Sequence, residues 1–485
     1  MADILAVYPK TGFDIKNASV ELPLGLISTV SAVYQDHEVK IIDQRVDENF
    51  EKNMLSELSK GPSVVLIPSM TGTQIKYALE ASRLAKENSK AKVLWGGVHA
   101  TLMPQQTIQH PLIDAIVIGE GEFVLKEFME AINGKRDMDS VKGIAYKNSH
   151  IKFTEHAPSP DPNEIPELPY HLVNVENYVK SGGIASSKDE RTLPFISSRG
   201  CPYTCKFCST AGIAKGLWRS MTAELTYERV NKMAKKYNIS AVKFYDENFT
   251  SNPKRAEQIA EFIDGKFKWS MQARMDNMLI TDMKKLEEGG LCVVEPGIES
   301  GSDRILKLVN KAENRATMIA ANRKLATTNI KAFYNFMMGF PGETKEEVME
   351  TVDLALLMIS ENPNAHITQF YIFTPYIGAP LFDYAVENGF QVPQTLEGWV
   401  VFSRQQTYTP WIQDNLSMLE SIMYTSKFVD GRRLSHILRN THLPKFLIHY
   451  FSARCRRNWE NHNFNKTASI SLLELMIKRK FGWGT

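Results

Sequence analysis

Three of the chain's five cysteines fall within eight residues, in Ser197-Ser198-Arg199-Gly200-Cys201-Pro202-Tyr203-Thr204-Cys205-Lys206-Phe207-Cys208. Thiolates are natural ligands for iron–sulfur clusters. Three of them, spaced Cys-x3-Cys-x2-Cys, occupy three irons of a [4Fe–4S] cube and leave the fourth iron open to an outside ligand. Zinc is the competing reading, but a closed structural zinc site wants four ligands. No fourth ligand stands nearby: the next cysteine is Cys292, and His171 lies upstream in a proline-rich stretch. An odd, sparse set of cysteines in 485 residues is no disulfide scaffold and points to a reducing compartment, the cytoplasm. Cys292 and Cys455 read by default as small buried hydrophobes.

The elements that must position this loop follow from the apolar pattern. Residues 195–375 alternate strands (Phe195–Ser198, Val242–Asp246, Lys268–Ala273, Leu291–Gly297, Lys331–Met338, Ile367–Phe373) with helices such as Ala223–Tyr237 and Thr344–Glu361. Six such units predict a partial (β/α) barrel whose chemistry gathers at the carboxyl ends of its strands. The first 150 residues alternate likewise, with strands at Asp3–Tyr8, Val39–Asp43, Ser63–Pro68, Lys92–Trp95 and Asp114–Ile118. Short continuous apolar strands between helices predict a parallel, doubly wound Rossmann-like domain. Between the two, from 151 to 192, Pro158, Pro160, Pro162, Pro166 and Pro169 predict an extended linker. The expected organisation is therefore 1–150, 151–192, 193–375, and a mainly α-helical region over 376–485.

The strand ends of the first domain carry small and polar residues: Ser69-Met70-Thr71-Gly72-Thr73, Gly96-Gly97-Val98-His99, and Gly119-Glu120-Gly121-Glu122. Glycine lets backbone approach a ligand closely, and the helix starts that follow favour polar groups. Ordinary turn chemistry would also put glycines there.

The cysteine spacing after the first barrel strand, with the aromatic Phe207 before the last cysteine, resembles the signature of the radical S-adenosylmethionine (SAM) superfamily. The resemblance covers about residues 190–375. It implies that the open iron chelates the amino and carboxyl groups of SAM, and that an electron from the cluster cleaves SAM to methionine and a 5′-deoxyadenosyl radical. It also implies SAM contacts at the later strand ends. Asp246 and Glu247 stand where the family holds the SAM amino group, Gln272 and Arg274 where they would reach its carboxylate. Glu299, in Gly297-Ile298-Glu299-Ser300-Gly301, resembles a ribose-hydroxyl ligand, and Gly339-Phe340-Pro341-Gly342-Glu343-Thr344 is a recurring turn of this branch. Helix caps or salt bridges are the plainer roles for these charged residues.

A Rossmann-like domain ahead of the barrel resembles the cobalamin (B12)-binding class, in the branch with anaerobic magnesium-protoporphyrin IX monomethyl ester cyclase and C-methylases. The resemblance implies that Ser69, Thr71, Gly96, Gly97, His99, Gly119, Glu120 and Gly121 meet cobalamin. The Asp-x-His-x-x-Gly motif of many cobalamin domains is absent; Pro9-Lys10-Thr11-Gly12-Phe13-Asp14 stands in its place. Radical SAM members often bind cobalamin without that histidine, and a docking or purely structural domain is the alternative. With cobalamin the expected reaction is methylation of an unactivated carbon in a small or medium organic substrate, after hydrogen abstraction by the deoxyadenosyl radical. Without methyl transfer it is radical cyclisation, oxidation or carbon–carbon coupling of a tetrapyrrole- or lipid-like substrate. The non-enzyme alternative is a redox protein that binds SAM and cluster without turnover.

The composition reads as that of a soluble globular protein, with 43% hydrophobic and 23% charged residues and a formal charge of +2. No apolar run is long enough to span a membrane, and the start, MADILAVYPK, does not read as a secretory signal. From Lys427 onward 12 Lys+Arg face 3 Asp+Glu, a local +9 that leaves −7 for the rest. The segments Leu434–Arg439, Phe446–Phe451 and Leu472–Lys480 mix apolar and cationic residues, as helices do when packed on a barrel or laid on an anionic membrane. Trp399, Trp411 and Tyr424 line a pocket or belong to the core. Nucleic acid is not an expected partner, because tRNA-modifying relatives usually add cysteines in the N-terminal domain and none precedes Cys201. The electron is expected from a reducing protein such as flavodoxin or ferredoxin.

Overall fold

The computed structural model describes residues 3–12, 14, 20–181, 184, 190–402, 409–430 and 445–464. The chain divides into two compact units. The first combines Met1–Lys180 with Arg219–Met221 and Gln391–Thr407; the second holds Ser181–Trp218, Thr222–Phe390 and Tyr408–Thr485.

In the first unit, β1 (Ile4–Tyr8), β2 (Val39–Asp43), β3 (Val64–Pro68), β4 (Lys92–Gly96), β5 (Ala115–Val117), β6 (Ile144–Lys147) and β7 (Ile151–Phe153) form one sheet in the order β2-β1-β3-β4-β5-β6-β7. The first five strands pair in parallel, with Ala6 opposite Leu66, and Leu66 opposite Leu94. Ile4, Leu5, Ala6, Val7, Val64 and Val65 are fully buried, as strands covered on both faces must be. The chain steps from β1 to β2 on one side and then to β3 on the other. That reversal opens a crevice at the carboxyl ends of β1 and β3, where doubly wound sheets bind ligands.

Two features differ from the sequence expectation. The sheet ends in an antiparallel hairpin, β6–β7, paired to β5. Its strands are too short and mixed for periodicity to register. The proline-rich stretch is also less of a free linker than its composition suggests. Up to Lys180 it belongs to the first unit, with Tyr170, Val175 and Tyr178 buried. The Tyr178 hydroxyl donates to Asp43 (3.0 Å), which also holds the Arg45 guanidinium at 2.6 Å.

The second unit is built on parallel strands β8 (Arg191–Phe195), β9 (Ala241–Phe244), β10 (Lys268–Met271), β11 (Leu291–Val294), β12 (Gly297–Glu299), β13 (Lys331–Met338) and β14 (Ala365–Ile372). They run β8-β9-β10-β11-β13-β14, with short β12 also on β13, the order of an incomplete (β/α) barrel. Along β13 the side chains alternate. Ala332, Tyr334, Phe336 and Met338 are fully buried against the helices, while Lys331, Phe333, Asn335 and Met337 line the inner face, half-buried. Pro194, which reads in the sequence as a strand breaker, lies inside β8 and starts the barrel four residues earlier than expected. After β14, Trp411 donates to Gly339 O (3.1 Å) and packs with the core of Ile305, Val309, Phe340, Phe373 and Leu381. The helix Lys445–Glu460 follows the helix Leu416–Val429 and docks by Trp459, fully buried and bonded to Thr425 (2.8 Å). Of the basic segments, Leu434–Arg439 and Leu472–Lys480 lie outside the described residues. Phe446–Phe451 falls in the helix Lys445–Glu460, with His449 and Tyr450 exposed.

Candidate active site

The cysteine loop leaves β8 through Gly200, whose φ of 80° only glycine adopts easily; a Cβ there would sit 2.1 Å from the Leu217 carbonyl. The loop is pinned from below. Lys206 N donates to Val309 O (2.8 Å), Leu381 N to Lys206 O (2.8 Å), and Asn310 Nδ2 to Thr204 O (3.2 Å). Phe207 packs against Phe340 at 5.9 Å. Cys205 is buried, Cys201 and Cys208 are half-buried, and all three are free thiols. Burial pushes the Cys201 and Cys205 thiols up, while Lys311 and Arg274 pull Cys205 back toward the thiolate. Among the described residues no three His, Cys, Asp or Glu side chains converge as a single-ion site would need.

Around Cys205 lies a buried charge network that the sequence reading missed. Arg274 Nη1 is 3.9 Å from Cys205 Sγ, and its guanidinium stacks 3.6 Å above the Tyr203 ring. Its remaining donors go to Asp276 (3.0 and 2.9 Å) and to Lys311 O (2.6 Å). Asp276 and Lys311 thus hold Arg274 beside the cysteine loop. Lys311 Nζ stands between Glu299 Oε1 (3.3 Å) and Glu313 Oε2 (3.4 Å). Burial works against the Lys311 charge, yet Glu299 and Glu313 outweigh it and hold the ammonium above its ordinary value. The clue available in sequence was Lys311 and Glu313 bracketing a single alanine between two helices.

The strand-end acids separate by the period-two rule. Lys243, Tyr245 and Glu247 share the inner face, whereas Asp246 points into the wall and is fully buried. Its carboxylate accepts from Ser197 N (2.8 Å), Ser197 Oγ (2.7 Å) and Ser198 Oγ (2.5 Å). Arg255, bonded to the same Ser197 hydroxyl (2.8 Å), supplies a countercharge. Asp246 thus braces the end of the first barrel strand. The Glu247 side chain opens to solvent, but protein surrounds it on most sides, and this desolvation pushes its carboxyl up to about 7. Gln272 is half-buried and its carbonyl accepts from Phe249 N (3.0 Å).

In the first unit, the loops after β3 and β4 are knitted together. Ser69 N donates to Gly96 O (2.9 Å), and His99 N to Ser69 O (3.1 Å). Gly97 has φ 90°, and a Cβ there would come within 2.9 Å of the Ser69 carbonyl. His99 is fully buried, with Nδ1 2.9 Å from Thr71 Oγ1 and Nε2 without a hydrogen-bond partner among the described residues. Burial lowers its pKa to about 4, so the ring is neutral near pH 7. Gly119 N donates to Thr101 Oγ1 (3.0 Å), and Gly121 begins the helix Glu122–Ile132. Glu120 is ion-paired with Arg219.

The sequence reading also did not anticipate the segment 391–402, which returns to this unit after the barrel. Trp399 is fully buried, donates to Gln106 Oε1 (2.6 Å), and meets His99 edge-on with centroids 5.8 Å apart. Gln106 Nε2 donates to Pro393 O (3.1 Å), and His110 pairs with Glu397 (3.1 Å). The residues fit the groups that the two folds imply. Three free thiols share one loop, with the Cys205 thiol beside the buried Arg274, and the first unit carries exposed Met70, Val98 and Phe123 at its glycine-lined strand ends and a buried imidazole nitrogen with no hydrogen-bond partner among the described residues.

Comparison with known proteins decides the family. A model of the radical SAM superfamily matches residues 195–355, and a model of the B12 binding domain matches residues 16–129. An uncharacterized methyltransferase of Pyrococcus horikoshii is 32% identical over 401 residues, covering 79% of this chain and 83% of that protein. The chain belongs to the B12-binding class of radical SAM enzymes. The anaerobic magnesium-protoporphyrin IX monomethyl ester cyclase of Cereibacter sphaeroides is 27% identical over 93% of this chain and 70% of its own length. In fold, the radical SAM enzyme resembles the cobalamin-dependent S-adenosylmethionine radical enzyme OxsB with aqua-cobalamin bound. The TM-score is 0.71 at 17% identity, over 99% of this chain and 76% of that one. Its cofactors are a [4Fe–4S] cluster, SAM and cobalamin.

Proposed function

We propose that this radical SAM enzyme is a C-methyltransferase that places a methyl group on an unactivated carbon of a small or medium organic substrate. The observation that carries this reading is the likeness to a protein named a methyltransferase, at 32% identity over 79% of this chain and 83% of that protein. When bound, the cluster and SAM supply a carbon radical and cobalamin supplies a methyl donor. The chain's own residues hold and orient these groups. Cys201, Cys205 and Cys208 take the cluster, leaving one iron for SAM. Glu247, Gln272 and Glu299 meet SAM from the strand ends, and the inner-face position and openness of Glu247 support its part. The loops at Ser69–Thr71, Gly96–His99 and Gly119–Gly121 take cobalamin.

In this reading the electron comes from a reducing protein such as a flavodoxin or ferredoxin, the enzyme works in the cytoplasm, and no nucleic acid takes part. No described helix is long and apolar enough to cross a membrane. A peripheral membrane contact through the basic C-terminal region stays part of the reading. The deciding experiment reconstitutes the enzyme anaerobically with cobalamin and supplies SAM carrying a trideuterated methyl group. The expected product gains the label. A product without it favours radical cyclisation or oxidation instead, the reading to which the 27% identity with the cyclase lends weight.

A further inference from the structure

We propose that Lys311 is a positioning residue for the SAM site, holding the Glu299 carboxylate where it meets the ribose hydroxyls of SAM; this rests on the reading of Glu299 as a SAM contact. Glu299 ends β12 with φ 66°, in the left-handed region that a side-chain-bearing residue rarely adopts. Its pairing with β13 slips at this point, between Gly297 and Glu299. The carboxylate folds back over Gly297: a Cβ on that glycine would lie 2.1 Å from Glu299 Oε1 and 3.4 Å from Lys311 Nζ. Glutamate therefore reaches this place only because position 297 has no side chain and an ammonium waits beyond it.

Lys311 is itself held on all sides. Its side chain is 7% exposed, and the Glu313 carboxylate that pairs with it is completely enclosed. Its carbonyl accepts from Arg274 Nη2 (2.6 Å), and its N–H donates to Leu306 O (2.9 Å). Asp276 N fixes the other oxygen of Glu313 (2.8 Å). Asn310, at φ 52°, closes the preceding helix as asparagine commonly does. Ala312, at φ 56°, has no such excuse, and strain of this kind persists where the surroundings dictate it. The turn is bent on both sides of the lysine, and the result is one ammonium bridging two carboxylates. A lysine serving stability alone would need only one of them.

The test measures SAM affinity of the reconstituted holoenzyme, from the change SAM causes in the electron paramagnetic resonance of the reduced cluster and from equilibrium dialysis. Lys311→Met is expected to load iron and sulfide normally and to weaken SAM by about tenfold, with Lys311→Arg recovering most of the loss. Glu299→Gln is expected to weaken SAM similarly, and adding Lys311→Met to it should change little, because the lysine acts through that carboxylate. Gly297→Ala keeps every charge but displaces the carboxylate, and should weaken SAM alike even if Lys311→Met fails to load. If Glu299→Gln weakens SAM but Lys311→Met and Gly297→Ala do not, or if the lysine and glutamate effects simply add, the inference is overturned. If Glu299→Gln leaves SAM binding unchanged, the assignment of Glu299 to the ribose fails instead.

Discussion

Arg274 sets its guanidinium 3.9 Å from the sulfur of Cys205 while lying 3.6 Å above the Tyr203 ring, so a buried cation is fixed against the cysteine loop by a residue of the loop itself. Burial opposes that charge, and Asp276 and Glu313 overcome the penalty and keep the guanidinium protonated. A fixed positive charge beside the ligand sulfurs favours the reduced, more negative cluster. Arg274→Met is therefore expected to lower the cluster midpoint potential; about 60 mV corresponds to a tenfold change in a one-electron equilibrium. Potentiometric titration followed by electron paramagnetic resonance measures it, and an unchanged midpoint counts against the tuning role. Replacing Cys201, Cys205 or Cys208 by Ala should abolish the [4Fe–4S] absorbance.

The neighbours Asp246 and Glu247 should fail in opposite ways. Asp246→Asn leaves Arg255 without its countercharge in the wall, and about 3–5 kcal/mol of stability should be lost, with little change in SAM affinity of the folded fraction. Glu247→Gln should leave the unfolding midpoint nearly unchanged and weaken SAM binding. The Glu247 carboxyl, raised to about 7, is protonated below that pH and above it becomes a carboxylate that can accept from the SAM amino group. SAM affinity should then rise as pH increases from about 6 to 8, and Glu247→Gln should flatten that rise.

His99 predicts an acid limb in stability. Its pKa is lowered from 6.5 to about 4 in the folded protein. Between those values the unfolded chain binds a proton that the folded chain does not, so stability is complete above pH 6.5 and falls as pH drops toward 4. The loss reaches roughly 3 kcal/mol, because each pH step between the two values costs about 1.4 kcal/mol. Urea denaturation at pH 7 and pH 5 should show it in the native protein. His99→Gln should be less stable at pH 7 yet lose less on acidification; an equal loss would argue against His99 as the source.

Trp399 should behave as core. Trp399→Ala empties the space against His99 and is expected to cost about 3–5 kcal/mol. Trp399→Phe keeps the ring contact and loses the bond to Gln106, about 1 kcal/mol. Similar losses for both would mean that the hydrogen bond, not the packing, holds the segment.

Strand positions, fold class and cluster loop were legible because each is written in local pattern. Apolar runs of four to eight residues mark β1–β5 and the barrel strands, and the cysteine spacing is confined to one loop. Alternation along β9 was equally legible, and applied to Asp246 and Glu247 it separates wall from inner face. What escaped depends on residues distant in sequence. Lys311 acquires meaning only beside Glu299 and Arg274, and Glu120 only beside Arg219. Trp399 sits 300 residues after His99, and nothing in an aromatic stretch tells which of two units will bury it. The β6–β7 hairpin was lost because three- and four-residue strands carry too little periodicity.

The segment 391–402 also constrains the order in which the protein can be completed. As a nascent chain emerges, β1–β5 and their helices are available early and N-terminal units generally fold first. Gln106, Thr73 and His99 must then wait, uncovered, until the whole barrel has been translated and Pro393, Trp399 and Val400 arrive to close over them. A ribosome stalled after β14 would carry a B12-binding domain that has its sheet but lacks its cover. Maturation of that domain is thus timed by the synthesis of its neighbour, and cofactor loading that needs the finished cover can begin only after the barrel and the segment 391–402 have been made.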